Sequence, residues 1–431
     1  MKNNIWRQSL HLEPKNGWLN DPNGLTYFKG IYYIYHQYSE NPNGGIKLWY
    51  GYTSPNLINY RDNGIILKND TIFDKSGVYS GSAYNKEDKM IFYYTGNVKN
   101  EGNYDYIHEG REHNTIKLTS KDGINFSEKK CVLKNIDYPN MSNHVRDPKV
   151  YEKNNHEYLI LGGRDKKDYG CLLIYKDMKY YKTVYSNKNM GYMWECPDYF
   201  MLNGKEIFVF SPQGISHMYS EYYNTYQVGY SVIEEGIENL ELINNFKLLD
   251  HGYDFYAPQT FLDEDGNRVL IAWMYVPDSY YINPTVKFNY QNCLSIPRVL
   301  KYENGVIKQI IHKSVESLYD REILGEMFSE KTWYFNKQDG EKFEIKIDSM
   351  NIKYDNKKMD INLNETGYGR KNISFDININ DIGIIFDSSS FEIFINDGEF
   401  TFTSRFYPNN HNVEINSKNY KIYKLKGIEV K

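Results

Sequence analysis

The chain has 431 residues, enough for two or three domains that each bury a core of their own. Its formal net charge of -5, with Lys and Arg in no dense tract, excludes the concentrated basic face that a nucleic-acid partner demands. Four cysteines, Cys131, Cys171, Cys196 and Cys293, lie scattered with no C-x-x-C pair, which argues against a disulfide framework or zinc knuckle and for a reducing compartment.

The first residues, Met1 to Gln8, lack the apolar stretch of a signal peptide, and no later run approaches the ~20 apolar residues of a membrane span. The expectation is a cytoplasmic protein with no membrane partner. In chain order, strand-length apolar or aromatic runs occur at 31–38, 46–53, 89–95, 157–163, 170–175, 205–211 and 268–275. Clusters of Gly, Asn, Asp and Pro at 41–45, 121–123 and 263–267 supply turn chemistry between them. Helical periodicity is nearly absent, and only 233–245 and 312–322 read ambiguously. Such a series fits one large closed or radial sheet assembly or two sandwiches, and periodicity alone does not separate them. After Ile296-Pro297-Arg298 a polar stretch, 309–321, has the character of a connector. Beyond it, runs at 343–347, 373–377, 382–386, 391–395, 400–406 and 420–425 alternate inward and outward residues, as in a sandwich with one buried face per sheet.

Three acidic segments carry the chemical information: Trp18-Leu19-Asn20-Asp21-Pro22-Asn23-Gly24, then Arg146-Asp147-Pro148-Lys149, then Trp194-Glu195-Cys196-Pro197-Asp198. Two carboxyl groups facing one another across a sugar ring are the usual equipment for breaking a glycosidic bond, and a third can stabilise the positive charge that develops. Taken alone, Asp21-Pro22-Asn23-Gly24 also reads as a β-turn, because those residues are the ordinary ones for a turn. The acids lie so far apart in sequence that only long-range strand packing can bring them together.

These motifs resemble those of glycoside hydrolase family 32, the β-fructofuranosidases. W-L-N-D-P-N-G, R-D-P-K and W-E-C-P-D stand in that family's order, and Gly77 to Ala83, Asp250 to Gln259, Ala272-Trp273-Met274 and Phe391 to Gly398 are similar to its later segments. The chain departs from it at Trp49-Tyr50-Gly51-Tyr52, where the family often has Trp-Gly-His-Ala. The resemblance implies an all-β chain, with a five-bladed β-propeller over 1–308, a linker over 309–321 and a C-terminal β-sandwich over 322–431. It implies Asp21 as nucleophile, Glu195 as general acid and then base, and Asp147 as stabiliser of the oxocarbenium-like transition state. Arg146 would balance the charge of the cluster, and donors would keep Asp21 ionised. Asn20, Gln37, Trp49, Tyr79, Ser80 and Trp273 would contact the fructose, while Cys196 packs beside the acid.

The implied substrate is a small sugar: sucrose, sucrose 6-phosphate or a short fructo-oligosaccharide. Arg61, Arg111, Arg164 and Lys166 are candidate cations for a 6-phosphate. Fructosyl transfer, fructan exo-hydrolysis and a non-catalytic carbohydrate-binding propeller are the alternatives. The histidines His36, His144 and His251 show no ligand spacing, and hydrolysis by carboxylates requires no metal, so neither metal nor cofactor is expected.

Overall fold

Turns rich in Gly, Asn and Asp fold each strand-length run back on its neighbour. At Asp263, for example, the carboxylate accepts from the amides of Asp265 (2.9 Å) and Asn267 (2.7 Å), fixing the reversal. The computed structural model describes residues 4–215 and 222–431, and in it these hairpins assemble into seven sheets.

Five of the sheets are the blades of a propeller. Each is an antiparallel meander whose inner strand comes first: Gly17–Phe28, Val78–Lys86, Met141–Lys153, Met193–Leu202 and Tyr256–Leu262. The ring closes where Tyr290–Gln291, from an excursion within the fifth blade, pairs in parallel with the start of the first inner strand. Near the C-terminus, Glu429–Val430 adds to the outer edge of that same blade.

Every inner strand breaks register against its partner beside the axis: between Leu19 and Pro22, Val78 and Gly81, Arg146 and Lys149, Glu195 and Asp198, and Tyr256 and Gln259, with a second break in the first strand between Asn23 and Thr26 and in the third between Met141 and Val145. These are β-bulges. Four of them hold an X-Pro pair, Asp21-Pro22, Asp147-Pro148, Cys196-Pro197 and Ala257-Pro258, because proline has no N–H for the ladder and is tolerated at a bulge. Residues 21–24, which taken alone could also be read as a turn, form a bulged stretch within a 12-residue strand.

Just past the bulges, polar side chains tie the blades into a ring. Gly81 donates its amide to Asn23 (3.0 Å), Ser82 its hydroxyl to the Pro148 carbonyl (2.7 Å), and Lys149 pairs with Asp198 (3.1 Å). Asp198 in turn accepts from Thr260 (2.7 Å), and Gln259 returns to the Gly81 carbonyl (2.9 Å). Each of these bonds joins different blades, adding to the backbone ladder between Tyr290–Gln291 and Gly17–Trp18 that links the fifth blade to the first.

The fifth blade ends with the strand Val306–Ile311, a one-turn helix follows at Lys313–Glu316, and Tyr319–Glu322 opens the sandwich. The sequence-ambiguous stretch 312–322 is thus helix for only a turn, and 233–245 forms turns and the short strand Leu242–Ile243. Two six-stranded sheets face each other across a core that includes Trp333, Phe335, Ile345, Ile384, Ile393 and Phe402.

Candidate active site

The bulges aim side chains inward. Asp147, Cys196 and Ala257, each preceding its proline, have φ of 64°, 47° and 48°, left-handed conformations that cost about 1–3 kcal/mol apiece for residues with a Cβ. The rest of each strand holds them there. In consequence the side chains of residues 21, 147 and 195 meet at the centre of the propeller.

The convergence can be followed bond by bond. The Cys196 amide donates to Asp147 Oδ2 (2.9 Å), and the Cys196 thiol lies 3.7 Å from Asp21 Oδ2 and 3.6 Å from Asp147 Oδ2. Arg146 Nε is 3.9 Å from Asp147 Oδ2, while its Nη2 donates to Glu195 Oε1 at 2.7 Å. Arg146 is itself held by His144, whose Nδ1 lies 2.8 Å from Nη1 and whose Nε2 reaches the Tyr106 carbonyl (2.9 Å). Burial first, then the Arg146 cation, pushes His144 down to about 3, so the neutral ring offers a lone pair to the guanidinium. The other Glu195 oxygen accepts from Gln213 and from Tyr256, both at 2.7 Å.

Asp21 sits in a closed hydrogen-bond loop. Asn20 donates to Asp21 (3.2 Å) and to Gln37, Gln37 donates to Ser80 (2.9 Å), and Ser80 donates to Asp21 Oδ2 (2.5 Å). Burial nevertheless raises the Asp21 carboxyl above the usual range; Ser80 opposes this and the Glu195 charge adds to it. The donors expected to keep Asp21 ionised are thus present and oppose the upward shift that burial imposes. Burial likewise raises Asp147, to about 7, against the pull of Arg146. Beside them, Lys47 lies over the Trp18 ring at 4.8 Å, and burial lowers it to about 8 despite the nearby Asp21.

The residues expected from sequence divide by exposure. Asp21, Tyr79 and Glu195 keep a partly open surface. Asn20, Gln37, Ser80, Arg146 and Cys196 lie buried against the acids and position them. Trp49 is fully buried and reaches the site only through its indole N–H, which donates to the Tyr79 carbonyl (3.0 Å), so the expected ring contact with the sugar is corrected to a packing role. Trp273 lies against Trp18 (6.1 Å), with its own indole N–H unpartnered among the described residues. Sequence reading did not single out Trp18, Lys47, His144, Gln213 or Tyr256 for a role. The Pro two residues after Tyr256 repeats the X-Pro signal of the acidic motifs and could have flagged it. Among the described residues, no group of three or more His, Cys, Asp or Glu is placed to hold a metal ion.

A bulged five-bladed propeller with three carboxyl groups at its axis and a sandwich behind it defines a class of glycoside hydrolase. The N-terminal domain of glycosyl hydrolases family 32 matches residues 11–314, and the family's C-terminal domain matches 308–430. The chain belongs to that family and is a fructosyl hydrolase. It is 40% identical over 352 residues to the sucrose-6-phosphate hydrolase of Staphylococcus xylosus, an alignment covering 80% of this chain and 70% of that protein. With the enzyme of the same name from Bacillus subtilis (strain 168) it is 37% identical over 308 residues, 68% of this chain and 62% of the other. The solved sucrose-6-phosphate hydrolase of Lactobacillus gasseri superposes with a TM-score of 0.88 at 26% identity, covering 99% of this chain and 94% of that one.

Proposed function

We propose that the protein hydrolyses sucrose 6-phosphate in the cytoplasm with retention of configuration, by a covalent fructosyl-enzyme. Asp21 attacks the anomeric carbon, Glu195 protonates the departing oxygen and then deprotonates water, and Asp147 carries charge opposite the oxocarbenium-like transition state. The observation that carries this reading is the unbroken chain of contacts from Asp21 through Cys196 and Asp147 to Arg146 and Glu195. Around it, Trp18 Nε1, Trp273 Nε1 and Asn20 Oδ1 are buried without partners among the described residues, as polar atoms awaiting sugar hydroxyls would be.

Preference for a phosphorylated substrate is supported by the names of the relatives and by Arg111. That side chain forms no ion pair among the described residues, its Nε is buried without a partner, and it lies close enough to repel Arg146 and to be attracted by Tyr79. Of the other candidate cations, Arg164 is engaged with Asp168 (2.8 Å), and Arg61 and Lys166 are exposed.

Two measurements test the proposal. Asp21→Asn should lower kcat by roughly four orders of magnitude while leaving sugar binding intact; normal turnover would remove Asp21 from the mechanism. The ratio of kcat/KM for sucrose 6-phosphate over sucrose should fall about 10- to 100-fold in Arg111→Gln, with sucrose itself little affected. An unchanged ratio would leave the phosphate without its proposed partner.

A further inference from the structure

The five inner strands run the same way around the axis, so residues a few positions past the bulges lie on the order of 15 Å down the propeller, at ~3.3 Å per residue. There the strands line a cavity of about 460 Å3, past the inter-blade bonds of Asn23, Ser82, Lys149, Asp198 and Gln259. All five blades contribute to its wall, among them Tyr27, Tyr84, Tyr151, Phe200 and Arg268.

Arg268 is the unusual member. Its guanidinium lies over the Phe200 ring (5.0 Å) but forms no hydrogen bond or ion pair among the described residues, and its Nε is buried without an acceptor. A buried donor left unmade is costly, and a guanidinium fork is shaped for two-point contact with an oxyanion. Asp198 attracts Arg268 from beyond ion-pair distance, and the acids near the cavity each have partners of their own. Asp198 faces Lys149 and Thr260, Glu152 pairs with Lys86 (3.1 Å), and Asp263 is bound up in its turn and with His312. Lys149 also lines the cavity and faces Asp198 (3.1 Å), so the wall holds two cations, Lys149 and Arg268, with Glu152 and Asp263 as its acids. Burial pushes Arg268 down, and a bound anion would relieve that.

We infer that this cavity binds a small oxyanion of the phosphate class, held by the Arg268 fork and flanked by tyrosine rings, at a site separate from the catalytic one. The cavity has room for a monosaccharide phosphate as well as for free phosphate.

The test titrates inorganic phosphate, and separately glucose 6-phosphate, into the whole protein by calorimetry. The Arg111→Gln background suppresses binding in the funnel. Binding should persist in that background and weaken about tenfold or more when Arg268→Gln is added. Activity on sucrose should stay at its basal level in Arg268→Gln alone. Tighter binding of the sugar phosphate would name it as the source, and equal binding would name free phosphate. Should Arg268→Gln fail to fold, Arg268→Lys keeps the charge and loses the fork, and a several-fold weakening is expected. No binding in the Arg111→Gln background, or affinity indifferent to either Arg268 substitution, overturns the inference.

Discussion

Arg146 touches two of the three acids at once, and this double contact decides how the site responds to pH. Its guanidinium lowers Asp147 while burial and the other carboxyl groups raise it, leaving the group at about 7. Above that pH the charge facing the transition state is complete in the free enzyme, and below it the charge is progressively lost. Removing the cation by Arg146→Gln should therefore move the acidic limb of kcat/KM to higher pH, and it should lower kcat about hundredfold through lost stabilisation. A pH profile whose acidic limb stays put would assign that limb to another group. At this scale the sequence was informative about which residues matter. It was silent on Tyr256 and Gln213, because an isolated Tyr or Gln carries no spacing signal until the fold sets it against Glu195.

The bulged inner strand is the element that makes the site, and it was the least legible part of the fold. The strand-like runs found in the sequence are mostly second and third strands, such as Ile31–Ser39, Lys89–Lys99, His156–Asp165 and Lys205–Gln213, where apolar and aromatic residues dominate. The inner strands carry Asp, Asn, Pro and Gly, which pattern reading assigns to turns. They remain strands because ladder bonds flank the bulge on both sides and the polar residues face the axis. Close packing between blades depends on glycine. A Cβ at Gly162 would stand 2.0 Å from the Trp194 carbonyl oxygen in the next blade, whereas one at Gly163 would meet chiefly the Leu173 side-chain end at 2.6 Å. Gly162→Ala should cost about 1–3 kcal/mol and lower kcat by displacing Glu195, with Gly163→Ala milder on both counts. Thermal unfolding and single-turnover rates check this, and equal effects at the two positions would mean that the blade contact does not hold Glu195.

Across the whole molecule, the propeller and the sandwich are joined by buried charge. Arg298 contacts Glu392 and Asp250 (3.1 Å), and His11 bridges Asp387 and Glu392, both at 2.8 Å. Burial opposes the His11 charge, but the two carboxylates overcome it and raise the ring from 6.5 to about 9. Its contribution, about 3 kcal/mol, is fully present below pH 6.5 and is lost as the pH rises through 9. Glu392, held at about 2 chiefly by Arg298 against burial, contributes above its ordinary 4.5 and loses that contribution only as the pH falls towards 2. The melting temperature should therefore decline between pH 6.5 and 9 in the wild type, and His11→Gln should flatten that decline. A wild-type curve level over this interval would mean that His11 is not charged in the fold.

By itself the sequence determined the class of structure and the identity of the acids. Turn residues recur at strand-length intervals, and three carboxylates stand in stiff X-Pro or X-Cys-Pro settings, both of them local signals. The likeness of those motifs to one family then carried the five blades and the sandwich. Only the tertiary structure decided that Trp49 packs in the core, that Ser80 and Gln37 serve Asp21, and that Arg146 spans two acids. It also placed Arg268 on the wall of a cavity shared by all five blades. The reason is geometric: each of these facts depends on which side chains meet across blades, and those residues are connected by no local pattern in the sequence.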